Sequence, residues 1–189
     1  MTPVSFITVR LEELDDVQRE ALAHSTWIAG REHAPAWLPT LDAAQEEISD
    51  ALQSGKVSRV ALGADGTPLG WIAAAPTFGR VWELHPLVIA VAYQRRGIGR
   101  QLVREIEDHA RSEGALTMTL GTSDSTRSTS LSGVDLYDDP LGAMARMVAH
   151  EPHAVVFWQR VGYHLVGVIP DAEGPGQPSI HLAKRLAVE

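Results

Sequence analysis

Gln94-Arg95-Arg96-Gly97-Ile98-Gly99-Arg100 sits between a long apolar strand pattern and a helical one. Upstream, residues 80–91 read as a single strand. Pro86 within it lacks the N–H that a central ladder needs, so a bulge or local splaying is expected there. Downstream, residues 97–113 put Ile98, Leu102 and Ile106 on one helical face, and Gly114 follows as a stop. Ala115–Gly121 then alternates, with Leu116, Met118 and Leu120 on one side. Strand, helix and strand joined by short connections predict a parallel βαβ crossover. A glycine-containing turn at a helix start offers unpaired N–H groups and a positive dipole end to an anion. Four of the chain's 16 basic residues, Arg95, Arg96, Arg100 and Arg104, fall within ten positions here. A pyrophosphate fits such a nest; the plainer alternative is a relaxed turn with a solvated basic helix start. No Gly-Lys-Ser/Thr follows, and Leu102 stands where the dinucleotide fingerprint has its third glycine, so neither of those phosphate loops applies.

Working outward, residues 4–10 alternate as a short strand, and Leu11, Leu14, Val17, Ala21 and Leu22 recur at helical spacing. Asp42 with Gln45 predicts a second helix start, ending before Gly55. Asp65-Gly66 between 57–64 and 68–75 is a hairpin signal. Residues 122–132 read as a Ser/Thr-rich loop, 141–149 and 153–161 as helices, and 163–169 and 179–186 as a closing pair of strands. The expected fold is α/β: one domain over residues 1–189, with a mixed, mostly antiparallel sheet flanked by helices and one crossover.

Length and composition agree. The 189 residues, 44% apolar and 21% charged, suit one globular domain with its own core. The absence of cysteine removes disulfides and zinc-thiolate sites, and the eight histidines show no tight ligand spacing, so no metal is expected. A net charge of −8 disfavours nucleic acid and anionic membranes and favours a cationic small molecule. The longest apolar run, 87–93, is far below the ~20 residues of a membrane helix. The opening MTPVSFITVRLEELDD has no basic flank or apolar h-region, so a cytoplasmic location is expected.

Gln-x-x-Gly-x-Gly at 94–99 resembles the acetyl-CoA pyrophosphate loop of the GNAT superfamily of N-acetyltransferases, and Phe157-Trp158-Gln159-Arg160-Val161-Gly162-Tyr163 is similar to that superfamily's aromatic segment. Trp82-Glu83-Leu84-His85-Pro86-Leu87, Leu120-Gly121-Thr122, Asp135-Leu136-Tyr137 and Val166-Gly167-Val168-Ile169-Pro170 resemble the aminoglycoside 6′-N-acetyltransferases, particularly the chromosomal enterococcal type. The resemblance covers residues 69–186 and is looser before that. It implies a GNAT fold, acetyl-CoA as cosubstrate, an aminoglycoside amine as acceptor, antibiotic resistance and a homodimer.

The same resemblance implies the site. Glu83 takes a proton from the bound amine, since an ammonium cannot attack a thioester, and it also holds the cationic substrate. His85 lies two positions on, on the same strand face. Leu87, Val88 and Ile89 offer backbone groups to the pantetheine arm and the developing oxyanion. Arg95, Arg96, Gly97, Ile98, Gly99 and Arg100 take the pyrophosphate. Asp124 and Asp135 recognise ammonium groups, and Trp27 walls a sugar ring. Two positions depart from the family: Trp158 replaces a tyrosine that can protonate the leaving thiolate, and Ser179 replaces an aspartate. An indole N–H is a donor only and not a useful acid. The rival readings are acetylation of a polyamine or other metabolite amine, and a CoA-binding module without catalysis.

Overall fold

The computed structural model describes residues 5–34, 36–53, 55–124, 126–151 and 153–186. In chain order the elements are β1 (Phe6–Val9), α1 (Asp16–His33), α2 (Leu41–Ala51), β2 (Val57–Gly63), β3 (Pro68–Pro76), β4 (Val81–Ile89), α3 (Ile98–Ser112), β5 (Thr117–Ser123), α4 (Pro140–Ala145), α5 (Ala154–Arg160), β6 (His164–Ile169) and β7 (Ser179–Arg185). Strand order in the seven-stranded sheet is β1-β2-β3-β4-β5-β7-β6. Two compact units make up the chain: Met1–Met118 with Leu186–Glu189, and Thr119–Arg185. Among the described residues no helix is long and apolar enough to cross a membrane.

In the first unit β1 to β4 form an antiparallel run. The Asp65-Gly66 hairpin is as expected: Gly66 adopts φ 80°, and Asp65 Oδ1 accepts the Thr67 N–H at 3.0 Å. The helical spacing from Leu11 resolves differently. Leu11–Glu13 is a 3-10 turn and Leu14 is extended, while α1 starts only after Asp15, whose side chain accepts the Gln18 N–H. Leu11 and Leu14 are buried all the same, so their apolarity reflects packing rather than helix. Helix α2 is capped by Thr40, not Asp42; the Thr40 hydroxyl accepts the Ala43 N–H at 3.2 Å. Val4 of the expected first strand lies outside the described residues.

Helix α3 buries Ile98, Leu102, Val103, Ile106 and Ala110 and packs on β2, β3 and β4, while α1 packs on β3, β4 and α2. The core beneath α1 and α2 is built on Leu22, Ile48, Val60, Trp71, Ala73 and Val88. Trp71 satisfies its one polar atom by donating to Thr26 Oγ1 at 2.9 Å. Strand β5 begins at Thr117, two residues later than the alternation suggests, because the Ala115 N–H still closes the end of α3 on Ala110 O.

In the second unit β6 and β7 pair antiparallel. Helix α4 stops at Ala145 rather than 149. Val148 exchanges hydrogen bonds with Ser130, and Ala149 bridges Thr129, which fixes that segment as extended. His153 caps α5 instead of lying inside it.

Candidate active site

Strand β4 presents the chemistry. Glu83 pairs with Ala75 and Leu84 with Ala74, then Leu87 pairs with Ile72, so His85 and Pro86 together oppose Ala73 alone. The expected irregularity at Pro86 is therefore a bulge, a device that re-aims side chains beside sites. Trp82, Leu84 and Val88 are buried, while Glu83 and His85 share the exposed side. Among the described residues no cation lies within ion-pairing distance of Glu83. A strand-edge carboxylate paired with an arginine, the plainer reading of such a residue, is not what stands here. His85 Nε2 lies 3.2 Å from Glu47 Oε1 of α2, and its ring packs at 5.2 Å against Trp37. Beyond the bulge, Val88 pairs with Trp71 and Ile89 with Gly70 of β3.

Past the end of β4 the chain makes the Gln94–Arg100 turn. Gln94 ties it back, donating from Nε2 to Ile89 O at 3.2 Å. Arg95 and Gly97 have φ of 58° and 88°, and Gly97 is the N-cap of α3 without a side-chain cap. A Cβ at Gly97 would meet open space. The glycine is therefore required by its left-handed backbone rather than by crowding within the protein. The Gln101 N–H bonds to Gly97 O, so the N–H groups of Ile98, Gly99 and Arg100 precede the first intrahelical bond. Arg96 and Arg100 are exposed, and Arg96 also lies over the Tyr93 ring at 5.6 Å. Free amides, a helix dipole and guanidinium groups on one turn make an anion cradle.

Trp27 projects from α1, half-buried, with His24 edge-on at 5.8 Å and the Arg31 guanidinium 5.2 Å over its ring. Its Nε1 is buried and makes no hydrogen bond among the described residues.

The second unit corrects one assignment. Asp124 is not a rim carboxylate: it is 0% exposed. Its oxygens accept the Ser128 N–H at 2.8 Å, the Thr129 N–H at 3.2 Å and the Thr129 hydroxyl at 2.5 Å. His153 Nδ1 accepts the Val155 N–H, so its Nε2–H is the donor to Ser123 O, with Asp124 Oδ1 at 3.4 Å. Burial pushes the His153 imidazolium down below the usual histidine range, and the opposing pull of Asp124 is smaller. Three accepted hydrogen bonds commit the buried carboxylate to shaping its own loop. Asp135 does remain exposed, accepting the Tyr137 N–H at 3.0 Å. Trp158 is buried edge-on against Phe157 and Tyr163, at 5.0 and 5.2 Å. Ser179 Oγ and His181 Nε2 lie 3.3 Å apart, opposite Gly121.

Glu47 and Trp37 are the neighbours of His85 that motif reading missed. One signal was present in the pattern of α2. Ala44, Ile48 and Ala51 form its buried stripe, and Glu47 interrupts that stripe with a carboxylate.

The sequence matches the acetyltransferase (GNAT) family over residues 19–143, and the chain belongs to that family. Among solved structures, it is similar to an aminoglycoside 6′-N-acetyltransferase complexed with coenzyme A. The two are 29% identical over 97% of this chain and 98% of that one, with a TM-score of 0.85. The aminoglycoside 6′-N-acetyltransferase from Enterococcus faecium is likewise 29% identical over the same shares, with a TM-score of 0.82. The ribosomal-protein-S18-alanine N-acetyltransferase from Escherichia coli, 13% identical over 98% and 96% with a TM-score of 0.65, shares the fold alone. No curated protein matches the sequence.

Proposed function

We propose that this acetyltransferase moves the acetyl group of acetyl-CoA to the 6′-amine of an aminoglycoside and so confers resistance. The observation that carries the reading is the end-to-end similarity to two 6′-N-acetyltransferases, one of them complexed with coenzyme A. An exposed Glu83, with no cation beside it among the described residues, and a chain of net charge −8 both suit a polycationic acceptor.

In this reading the turn leading into α3, from Arg95 to Arg100, holds the pyrophosphate. Leu87, Val88 and Ile89 align the pantetheine arm with β4. Glu83 attracts the substrate ammonium and takes its proton. The freed amine attacks the thioester carbonyl, the C–S bond breaks and coenzyme A departs as thiolate. Trp158 cannot protonate that thiolate, so the second proton of the new amide nitrogen serves. Trp27 offers an apolar wall for a sugar ring, the exposed Asp135 carboxylate suits an ammonium group, and the enzyme works as a homodimer in the cytoplasm, a stoichiometry that sedimentation equilibrium measures.

Thiol release from acetyl-CoA with and without an aminoglycoside tests the activity. The reading predicts release that requires both substrates. Acetyl-CoA binding without release would instead support a sensor, and release with polyamines alone a metabolic role.

A further inference from the structure

We infer that Glu47 is a positioning residue for this transfer. It fixes His85 in the tautomer whose Nδ1 is a hydrogen-bond acceptor for the incoming amine. The inference rests on the reading of β4 as the amine-facing strand.

Glu47 occupies a position where α2 otherwise buries alanine and isoleucine, and its side chain is only 17% exposed against 52% for His85. A carboxylate set into a packed stripe is costly unless its oxygens are satisfied. Both are: Oε1 faces His85 Nε2 at 3.2 Å and Oε2 accepts from Trp37 Nε1 at 3.1 Å. Burial pushes the Glu47 carboxyl up, but His85, Trp37 and, more distantly, Lys56 together hold it below the usual range. It is therefore ionised at neutral pH and can only accept.

That settles the imidazole. Facing an ionised carboxylate, the neutral ring keeps its proton on Nε2, and Nδ1 carries the lone pair. Trp37 makes the arrangement one-way, because an indole N–H can only donate and occupies the other oxygen. Among the described residues Nδ1 has no hydrogen-bond partner. A neutral amine attacks through its lone pair, so its N–H bonds must point at acceptors elsewhere. Glu83 and His85 Nδ1 stand on the same side of one strand and supply two such acceptors. The opposite tautomer would aim a donor at the amine and tie up the lone pair that must attack. The charged group facing the ring is Glu47 from α2, with Glu83 on the exposed side of the same strand and Lys56 acting on Glu47 through space.

The experiment is a long-range 1H–15N spectrum of the histidine rings, recorded as pH is raised until the His85 ring carries a single proton. The His85 signals are assigned by their loss in His85→Asn. The parent is expected to show His85 as the Nε2–H tautomer. Glu47→Gln offers one acceptor and one donor to two N–H groups, so it should yield a tautomer mixture; Glu47→Asp should restore the parent pattern. With an aminoglycoside, kcat of Glu47→Gln should fall about tenfold or more while the KM for acetyl-CoA stays within about twofold. A parent His85 protonated on Nδ1 overturns the proposal whether or not Glu47→Gln folds. An unchanged tautomer in a folded Glu47→Gln overturns it as well. Because the spectrum needs no turnover, failure of the positioning role and failure of the proposed activity are told apart.

Discussion

At the scale of single residues, the site divides between groups left available and groups already committed. Glu83 is exposed with no cation beside it among the described residues, whereas Asp124, equally acidic in the sequence, is buried and accepts from Ser128 and Thr129. No local pattern separates the two, because the difference lies in what the folded loop wraps around each carboxylate. Glu83→Gln keeps the shape and loses the base. Its kcat/KM for the amine should fall by roughly 10²–10⁴ in steady-state assays at saturating acetyl-CoA. A variant retaining the parent's rate would remove Glu83 from proton transfer. Gly97 acts through its backbone: at φ 88°, a β-branched side chain is strained by about 1–2 kcal/mol or more. Gly97→Val should therefore distort the turn and weaken acetyl-CoA binding by at least about tenfold in calorimetry, with the fold retained. An unchanged dissociation constant would place the pyrophosphate elsewhere.

At the scale of elements, the strands and the crossover were legible because their signals are local: alternation in β4 and β5, Asp65-Gly66 between β2 and β3, glycines on either side of α3. What was not legible turned on competition between neighbouring candidates. Thr40 and Asp42 are both good caps, and Thr40 prevails by accepting the Ala43 N–H. Thr40→Ala should accordingly cost about 1 kcal/mol in denaturant unfolding, and Asp42→Ala less; the reverse order would put the helix start back at Asp42. Similarly, His153 sat in a helix pattern but serves as the cap of α5. Its folded-state pKa is depressed by burial, so the unfolded chain takes up the proton first. That contribution to stability is complete above the ordinary histidine value of about 6.5 and is lost as pH falls below it. Acidification from about pH 7 to 5 should lower the melting temperature of the parent more than that of His153→Asn, which keeps a capping acceptor without titrating there. Parallel losses in calorimetry would mean another group titrates.

At the scale of the whole molecule, charge and fold point the same way: an acidic chain carries one concentrated basic turn at the start of α3, matching an anionic cosubstrate within a surface suited to a cationic acceptor. The anion-binding turn could be read from sequence because its glycines and arginines are contiguous. The surroundings of His85 could not, since Trp37, Glu47 and His85 come from three separate stretches joined only by folding. The reading as a 6′-N-acetyltransferase is tested most directly with two aminoglycosides identical except for an amine or a hydroxyl at the 6′ carbon. Each is incubated with acetyl-CoA, and the product is located by NMR. The account predicts one acetyl group on the 6′ nitrogen of the first compound and no N-acetylation of the second. Acetylation of both at another amine, or of neither, would contradict it.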